Sequence, residues 1–388
     1  MHPSARVQTA IELLDAIICA ARDGGAAADV VATRFFKERR YAGSGDRRAI
    51  RALVWAAIRR FGERPAAGRA AMLAMADADA ELAAHFTGEG KAAAKIGYGE
   101  ARAGGGLIPA WLGKHLDPRI DDAEVAALLE RAPLDLRINR ARAGGVELPE
   151  GAALPPPLDG LRLPHDTNIT DHPAMIAGAV EVQDAGSQWI SAACQALPGM
   201  TVIDLCAGAG GKTLALANIM ANQGQIIAAD IDRNRLSQLG PRANRAGATI
   251  IETMLLNPGA ELAALDAYRG KADVVLIDAP CSGSGTWRRN PEARWRLTPT
   301  RLENLLRAQS NLLDIAAELV APGGALVYAV CSVIGGEGEQ QVEQFTQRQA
   351  AYRPQNIGDI GRAAGAGRLL TPMHDGTDGF FMARLVRG

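Results

Sequence analysis

Asp278, Cys281 and Cys331 have the spacing of groups delivered by neighbouring strand ends to one ligand. Residues 274–277 form an apolar run that reads as a buried parallel strand, and Asp278-Ala279-Pro280-Cys281-Ser282-Gly283-Ser284-Gly285 breaks it into a loop. A second apolar run ends in Tyr328-Ala329-Val330-Cys331-Ser332. Open α/β sheets bind their ligands outside the carboxyl ends of their strands, so an acid and two thiols leaving such ends form a candidate active site. A single cysteine is usually a small buried hydrophobe. Two at adjacent strand ends suit a more specific reaction, methylation at carbon 5 of a pyrimidine. That carbon is too weak a nucleophile to attack a sulfonium methyl; addition of a thiolate at carbon 6 turns the ring into an enamine whose carbon 5 attacks. An ordinary thiol, with a pKa of about 8.5, is mostly protonated at neutral pH, so the site must assist ionisation. Methylation of an exocyclic amine needs no thiol and favours Asn/Asp-Pro-Pro-aromatic at this point, where the chain has Asp278-Ala279-Pro280-Cys281. The chemistry alone does not choose between the two cysteines.

A glycine loop, Cys206-Ala207-Gly208-Ala209-Gly210-Gly211-Lys212-Thr213, follows a short apolar strand at residues 201–205. Missing Cβ atoms let backbone amides approach a ligand. Asp230 ends the next strand 22 residues after Gly208, the distance at which an acid accepts hydrogen bonds from ribose hydroxyls. A Walker A loop requires glycine where Cys206 stands, and the spacing of Gly208, Gly210 and Gly211 breaks the dinucleotide pattern. S-adenosylmethionine, with a ribose and no pyrophosphate, fits best. A glycine loop by itself is often only a tight strand–helix turn. Asp230 and Asp278 on further strand ends strengthen the cofactor reading.

The elements that must position these groups alternate between strand and helix from residue 179 to 388, which predicts a doubly wound, mostly parallel sheet of Rossmann-like type. Residues 1–132 read as helices throughout, with Val7, Ile11, Leu14 and Ile18 recurring at helical steps, as do Ile50, Val54, Ala57 and Phe61. Residues 133–178 alternate apolar and polar around Leu134, Leu136 and Ile138 and then run through Leu154-Pro155-Pro156-Pro157, which predicts a small α/β linker module. Three domains are therefore expected in the 388 residues.

The net charge of −1 hides two basic stretches. Residues 34–64 hold ten Arg/Lys against three acids, and residues 288–301 hold five arginines against Glu292. Local patches govern phosphate binding more than total charge does. Trp287, Arg288, Arg289, Arg294, Trp295 and Arg296 interleave aromatics with cations, a composition suited to stacking on bases and touching phosphates. A packed loop with solvated arginines is the alternative. The five cysteines are odd in number and contain no CxxC pair, so neither a disulfide framework nor a zinc site is expected. No apolar run approaches membrane-spanning length, and no signal peptide is legible. A cytoplasmic protein without metal is the expectation.

The glycine loop with its preceding Asp204-Leu205, the stretch from Asp278 to Pro291, Val330-Cys331-Ser332, Val182-Gln183-Asp184-Ala185-Gly186-Ser187-Gln188 and Asp378-Gly379-Phe380-Phe381 resemble the motifs of the NOL/NOP/Sun RNA cytosine-5 methyltransferases, in that family's order. The arginine-rich N-terminus, with Arg39-Arg40-Tyr41-Ala42-Gly43-Ser44, resembles the NusB-like domain of the bacterial RsmB (Sun) branch. The resemblance implies a class I methyltransferase domain preceded by an all-α NusB-like domain. It implies that Cys331 is the nucleophile, that Cys281 assists release of the methylated RNA, and that Asp278 lies near cofactor and base. It implies S-adenosylmethionine bound by Cys206, Ala207, Gly208, Ala209, Gly210, Gly211, Lys212, Asp230, Arg235, Asn257 and Asp278. The expected partner is RNA, held by Arg39, Arg40, Arg47, Arg48, Arg288 and Arg289. Small-subunit ribosomal RNA is the expected substrate; tRNA, or a non-catalytic role in assembly, are the alternatives. The chain departs from the family pattern at Ala209, Val330, Asn257 and residues 334–339.

Overall fold

Helical periodicity becomes real helices at the N-terminus: α1 (Pro3–Arg22), α2 (Ala28–Glu38), α3 (Ser44–Arg60) and α4 (Gly68–Ala76). Val7, Ile11, Leu14, Ile18, Ile50, Val54, Ala57 and Phe61 are all in their shared core. The computed structural model describes residues 1–388 and divides into two units. The first comprises Met1–Glu130 together with Thr286–Pro299. Residues 87–109 carry no helix, contrary to the expectation of helices throughout. Three glycines in a row and Gly88, Gly90 and Gly99 at positive φ deny that stretch helical backbone, and Arg69 pins it through a two-pronged ion pair to Glu100 at 2.6 and 2.8 Å.

The second unit, Arg131–Gly285 with Thr300–Gly388, holds two sheets. A four-stranded antiparallel sheet has the order β2-β3-β1-β4, with β1 (Leu134–Ile138), β2 (Ala152–Ala153), β3 (Gly160–Leu163) and β4 (Val180–Val182). Its last strand lies beyond residue 178, because Val180 and Val182 pair with Ile138 and Leu136. The large sheet contains β5 (Thr201–Asp204), β6 (Gln225–Asp230), β7 (Ile251–Leu255), β8 (Ala272–Asp278) and β9 (Val320–Val330), all parallel, in the order β7-β6-β5-β8-β9. Antiparallel strands continue it beyond β9: β10 (Tyr352–Gln355), β11 (Arg362–Ala364), β12 (Gly367–Leu370) and β13 (Phe380–Arg387), with β13 beside β9. The parallel strands are apolar runs because both faces are covered, and Val202, Ile226, Val274, Leu276 and Val327 are buried in one core. No helix is long and apolar enough to cross a membrane.

Candidate active site

The order of the parallel strands puts the ends of β6, β5, β8 and β9 in one row, and every expected catalytic group leaves one of those ends. The loop after β5 turns at Gly208 (φ 54°) and Gly210 (φ 84°), left-handed conformations that favour glycine, and Gly210 leads into the helix Gly211–Ile219. A Cβ on Gly208 would overlap the Arg235 guanidinium. Asp230, ending β6, closes the loop from the side, accepting from Gly208 N–H and Asp232 N–H, both at 2.7 Å. Each carboxylate oxygen keeps a further lone pair for a ligand hydroxyl.

Two clefts share Cys206, Arg235 and Asp278 as walls. The larger, about 560 Å³, is lined by Asp230, Asp232, Leu256, Glu261, Asp278, Pro280, Cys281 and Cys331, with Arg301, Leu305 and Asn311 from the helix Pro299–Leu319. The smaller, about 300 Å³, is lined by Gln183, Asp184, Asp204, Ala207, Ala209, Gly211, Lys212 and Arg242. A nucleoside-sized ligand with a charged tail suits this pair: an acid for ribose on one side, and on the other a glycine, Gly211, whose Cβ position is open space. Asp204 Oδ1 is buried there without a hydrogen-bond partner. Of the expected cofactor residues, Gly208, Gly210 and Asn257 lie outside both linings; Asn257 is exposed just past β7, where Leu256 and Glu261 line the cleft instead. The chain turns outward after Leu256 N–H donates to Asp230 O at 2.9 Å.

The two sulfurs meet. Cys281 Sγ and Cys331 Sγ are 3.3 Å apart, in hydrogen-bond contact. That hydrogen bond first, then burial, then the charges of Cys331 and Glu337 hold the Cys281 thiol well above the ordinary cysteine range. Cys281 is therefore held as a neutral thiol beside the Cys331 sulfur. Lys212 Nζ donates to Asp278 Oδ2 at 2.7 Å. Burial opposes the lysine's charge, but Asp278, with smaller help from Cys331 and Asp204, keeps its pKa above the usual value. A buried cation thus sits in the field of the Cys331 sulfur.

Asp204 lies beneath this pair. Burial first, then the charges of Asp278 and Asp230, push its pKa up to about 7, against the Thr213 hydroxyl donating to it at 2.7 Å. A raised acid pKa means that the folded state holds its proton more tightly than the unfolded chain. Its contribution to stability is present in full below about pH 4 and is lost as pH rises through 7, roughly 4 kcal/mol across that window. Asp204→Asn removes the titration, so the fall in thermal midpoint between pH 5 and 8 becomes shallower than in the parent; an unchanged slope refutes the assignment.

The aromatic–arginine segment is not presented to solvent. Trp287, Arg288, Arg294 and Trp295 are buried, and Arg289 is half-buried. Glu292 accepts from Ala28 N–H at the start of α2, while Arg294 donates to the carbonyls of Ile58, Arg59 and Phe61 at the end of α3. Trp295 Nε1 donates to Phe61 O at 2.8 Å, and Arg296 donates to Ala20, Gly25 and Ala26 carbonyls. An acid at a helix N-terminus and a cation at a C-terminus complement the helix dipoles, so the segment is an internal plug of the helical unit. Base stacking by Trp287 and Trp295 and RNA contact by Arg288 are accordingly corrected. In the other basic stretch, Arg39 lies over the Phe35 ring and pairs with Glu12, and Arg47 donates to Ala42 O, whereas Arg40 and Arg48 are exposed.

Sequence reasoning missed the polar groups that join the cysteine loops, chiefly Glu337 and Gln309. Nothing in local spacing marks them, since Gln309 comes from a different element and Glu337 stands in a stretch noted only as a departure.

The strand order, the glycine loop and the row of acids define a Rossmann-like class I methyltransferase fold. The family described as 16S rRNA methyltransferase RsmB/F matches residues 193–386. The probable ribosomal RNA small subunit methyltransferase B of Synechocystis sp. is 35% identical over 318 residues, covering 76% of this chain and 69% of that one. The solved structure of PH0851 superposes with a TM-score of 0.75 over 99% of both chains at 24% identity, a likeness of fold. NSun6 from Pyrococcus horikoshii, solved with SFG, superposes with a TM-score of 0.52 over 59% of each chain at 26% identity. The chain belongs to the 16S rRNA methyltransferase RsmB/F family.

Proposed function

We propose that this protein transfers a methyl group from S-adenosylmethionine to carbon 5 of a cytosine in small-subunit ribosomal RNA, with Cys331 as the covalent nucleophile. Family membership and the Synechocystis relative's name support an rRNA methyltransferase. The position on the base rests on one observation, the 3.3 Å sulfur pair in a cleft that also carries Asp230 and Asp278. The glycine loop, Lys212, Asp230, Arg235 and Asp278 would hold the cofactor, which when bound supplies an electrophilic methyl carbon. Cys331 Sγ bonds to carbon 6, delivering electron density to carbon 5. Once carbon 5 carries the methyl group, its proton leaves to a base and the Sγ–carbon 6 bond breaks, restoring the aromatic ring. Cys281, a neutral thiol in contact with Cys331, hydrogen-bonds to the departing sulfur and speeds that release.

Nucleoside mass spectrometry after incubation with small-subunit ribosomal RNA and cofactor is expected to yield 5-methylcytosine. Transfer to tRNA alone moves the substrate assignment, and cofactor binding without transfer to any RNA overturns the enzyme. Arg40 and Arg48 are assigned to RNA phosphates. Replacing both by alanine weakens RNA binding and reduces the slope of log affinity against log salt by about 0.7 for each phosphate no longer neutralised. Unchanged slopes in filter-binding titrations remove them from the interface.

A further inference from the structure

Each catalytic cysteine is followed by a serine, and both serines lead to the same buried acid. Glu337 is fully buried and forms no ion pair, with both carboxylate oxygens occupied. Oε1 accepts from Ser282 N–H at 2.8 Å and from Gln309 Nε2 at 3.0 Å; Oε2 accepts from Ser332 Oγ at 2.6 Å. A carboxylate without its proton only accepts, which orders the hydroxyls behind it. Ser332 must donate to Glu337, so Ser284 donates to Ser332 at 3.0 Å and Ser282 donates to Ser284 at 3.1 Å. Gln309 spends its other amide hydrogen on Pro280 O at 3.0 Å, gripping the residue before Cys281. Tyr328 OH, from β9, donates to the backbone carbonyl of Glu337 at 2.7 Å and holds the acid in place.

We propose that Glu337 is a positioning residue: its carboxylate is the joint between the Cys281 loop and the Cys331 loop, and it sets the separation of the two sulfurs. The inference rests on the cysteine roles proposed above. A buried carboxylate with no cation is costly unless fully hydrogen-bonded, and here every bond goes to one of the two loops or to the helix residue bracing them. Without the joint, each loop keeps its strand but loses its registration against the other. Gly285 N–H to Cys331 O, at 3.1 Å, then remains as a direct backbone tie between them.

Sulfur proximity can be read without methyl transfer. Diamide takes up the two thiol hydrogens and leaves a disulfide, at a rate set by how closely the thiols are held. In the parent, Cys281 and Cys331 close rapidly, seen as one linked peptide pair on non-reducing peptide mapping. Glu337→Ala is expected to slow this closure at least about tenfold and to lower kcat by about 10²-fold, with KM for cofactor unchanged, the scale of a misplacement near 1 Å. Glu337→Gln retains an acceptor for Ser282 N–H and lets Ser332 reverse its hydroxyl, so it restores rapid closure. Ser332→Ala, a smaller change that keeps the fold, gives a partial slowing. Parental closure rates in both Glu337→Ala and Ser332→Ala overturn the proposal. Slow closure without loss of methyl transfer upholds the joint and instead refutes the role given to the cysteines.

Discussion

Cys331→Ser is expected to abolish methyl transfer, by at least about 10⁴-fold, the scale of losing a covalent nucleophile. Serine preserves size and hydrogen bonding, so the loss isolates the chemistry. A serine hydroxyl is a far weaker nucleophile than a cysteine sulfur, and here that sulfur lies in the field of Lys212 and in hydrogen-bond contact with Cys281. Cofactor affinity, measured by equilibrium dialysis, stays within about two-fold, because the glycine loop is untouched. Cys281→Ala separates the two sulfurs by a different readout. The attacking thiol survives but the hydrogen-bonding partner for its departure is gone, so RNA remains attached to protein and migrates as a covalent complex on a denaturing gel. Retained 5-methylcytosine formation by Cys331→Ser ends the proposed mechanism; complex formation by Cys331→Ser and not by Cys281→Ala exchanges the two roles.

The second large effect is structural. Arg294→Ala is expected to destabilise the helical unit by about 3 kcal/mol, since three carbonyls at the end of α3 lose a buried charged donor. For a unit of this size that lowers the thermal midpoint by roughly 6–12 °C. Burial first, then the charge of Arg59, draws the Arg294 pKa down to about 9, yet it remains a cation at neutral pH. Arg294→Lys recovers less than half of the loss, because a single ammonium cannot match a planar fork whose Nη2 reaches the carbonyls of Ile58, Arg59 and Phe61 while its Nη1 reaches that of Pro291. A midpoint within about 2 °C of the parent for Arg294→Ala, by calorimetry at neutral pH, contradicts the plug.

The contrast between these two sites explains what the sequence made legible. Asp230, Asp278, Cys281 and Cys331 were readable because each ends or closely follows one of three strands, β6, β8 and β9, and parallel sheet geometry carries those strand ends to one edge. Asn257 fails that logic by a residue or two, where the chain has already turned away. Trp287, Arg294 and Trp295 were misread because composition reports charge and aromaticity but not the surface they face. An arginine bound to helix-end carbonyls and one awaiting a phosphate are the same letters. The strands β10 and β11 are short, one contains Pro354, and they exist only because β13 and β12 offer them edges. Glu337 was invisible for a related reason: its meaning lies in Ser282, Gln309 and Ser332, contributed by three separate stretches.

The plug at Thr286–Pro299 also bears on how the chain is made. The N-terminal helices leave the ribosome first, but the niche that Trp295 fills and the α3 carbonyls that Arg294 satisfies stay incomplete until residue 299 has been translated. The first unit to emerge is thus not the first to be finished. The nascent helices must wait, with a hole in their core, for a segment encoded beyond the glycine loop and Cys281.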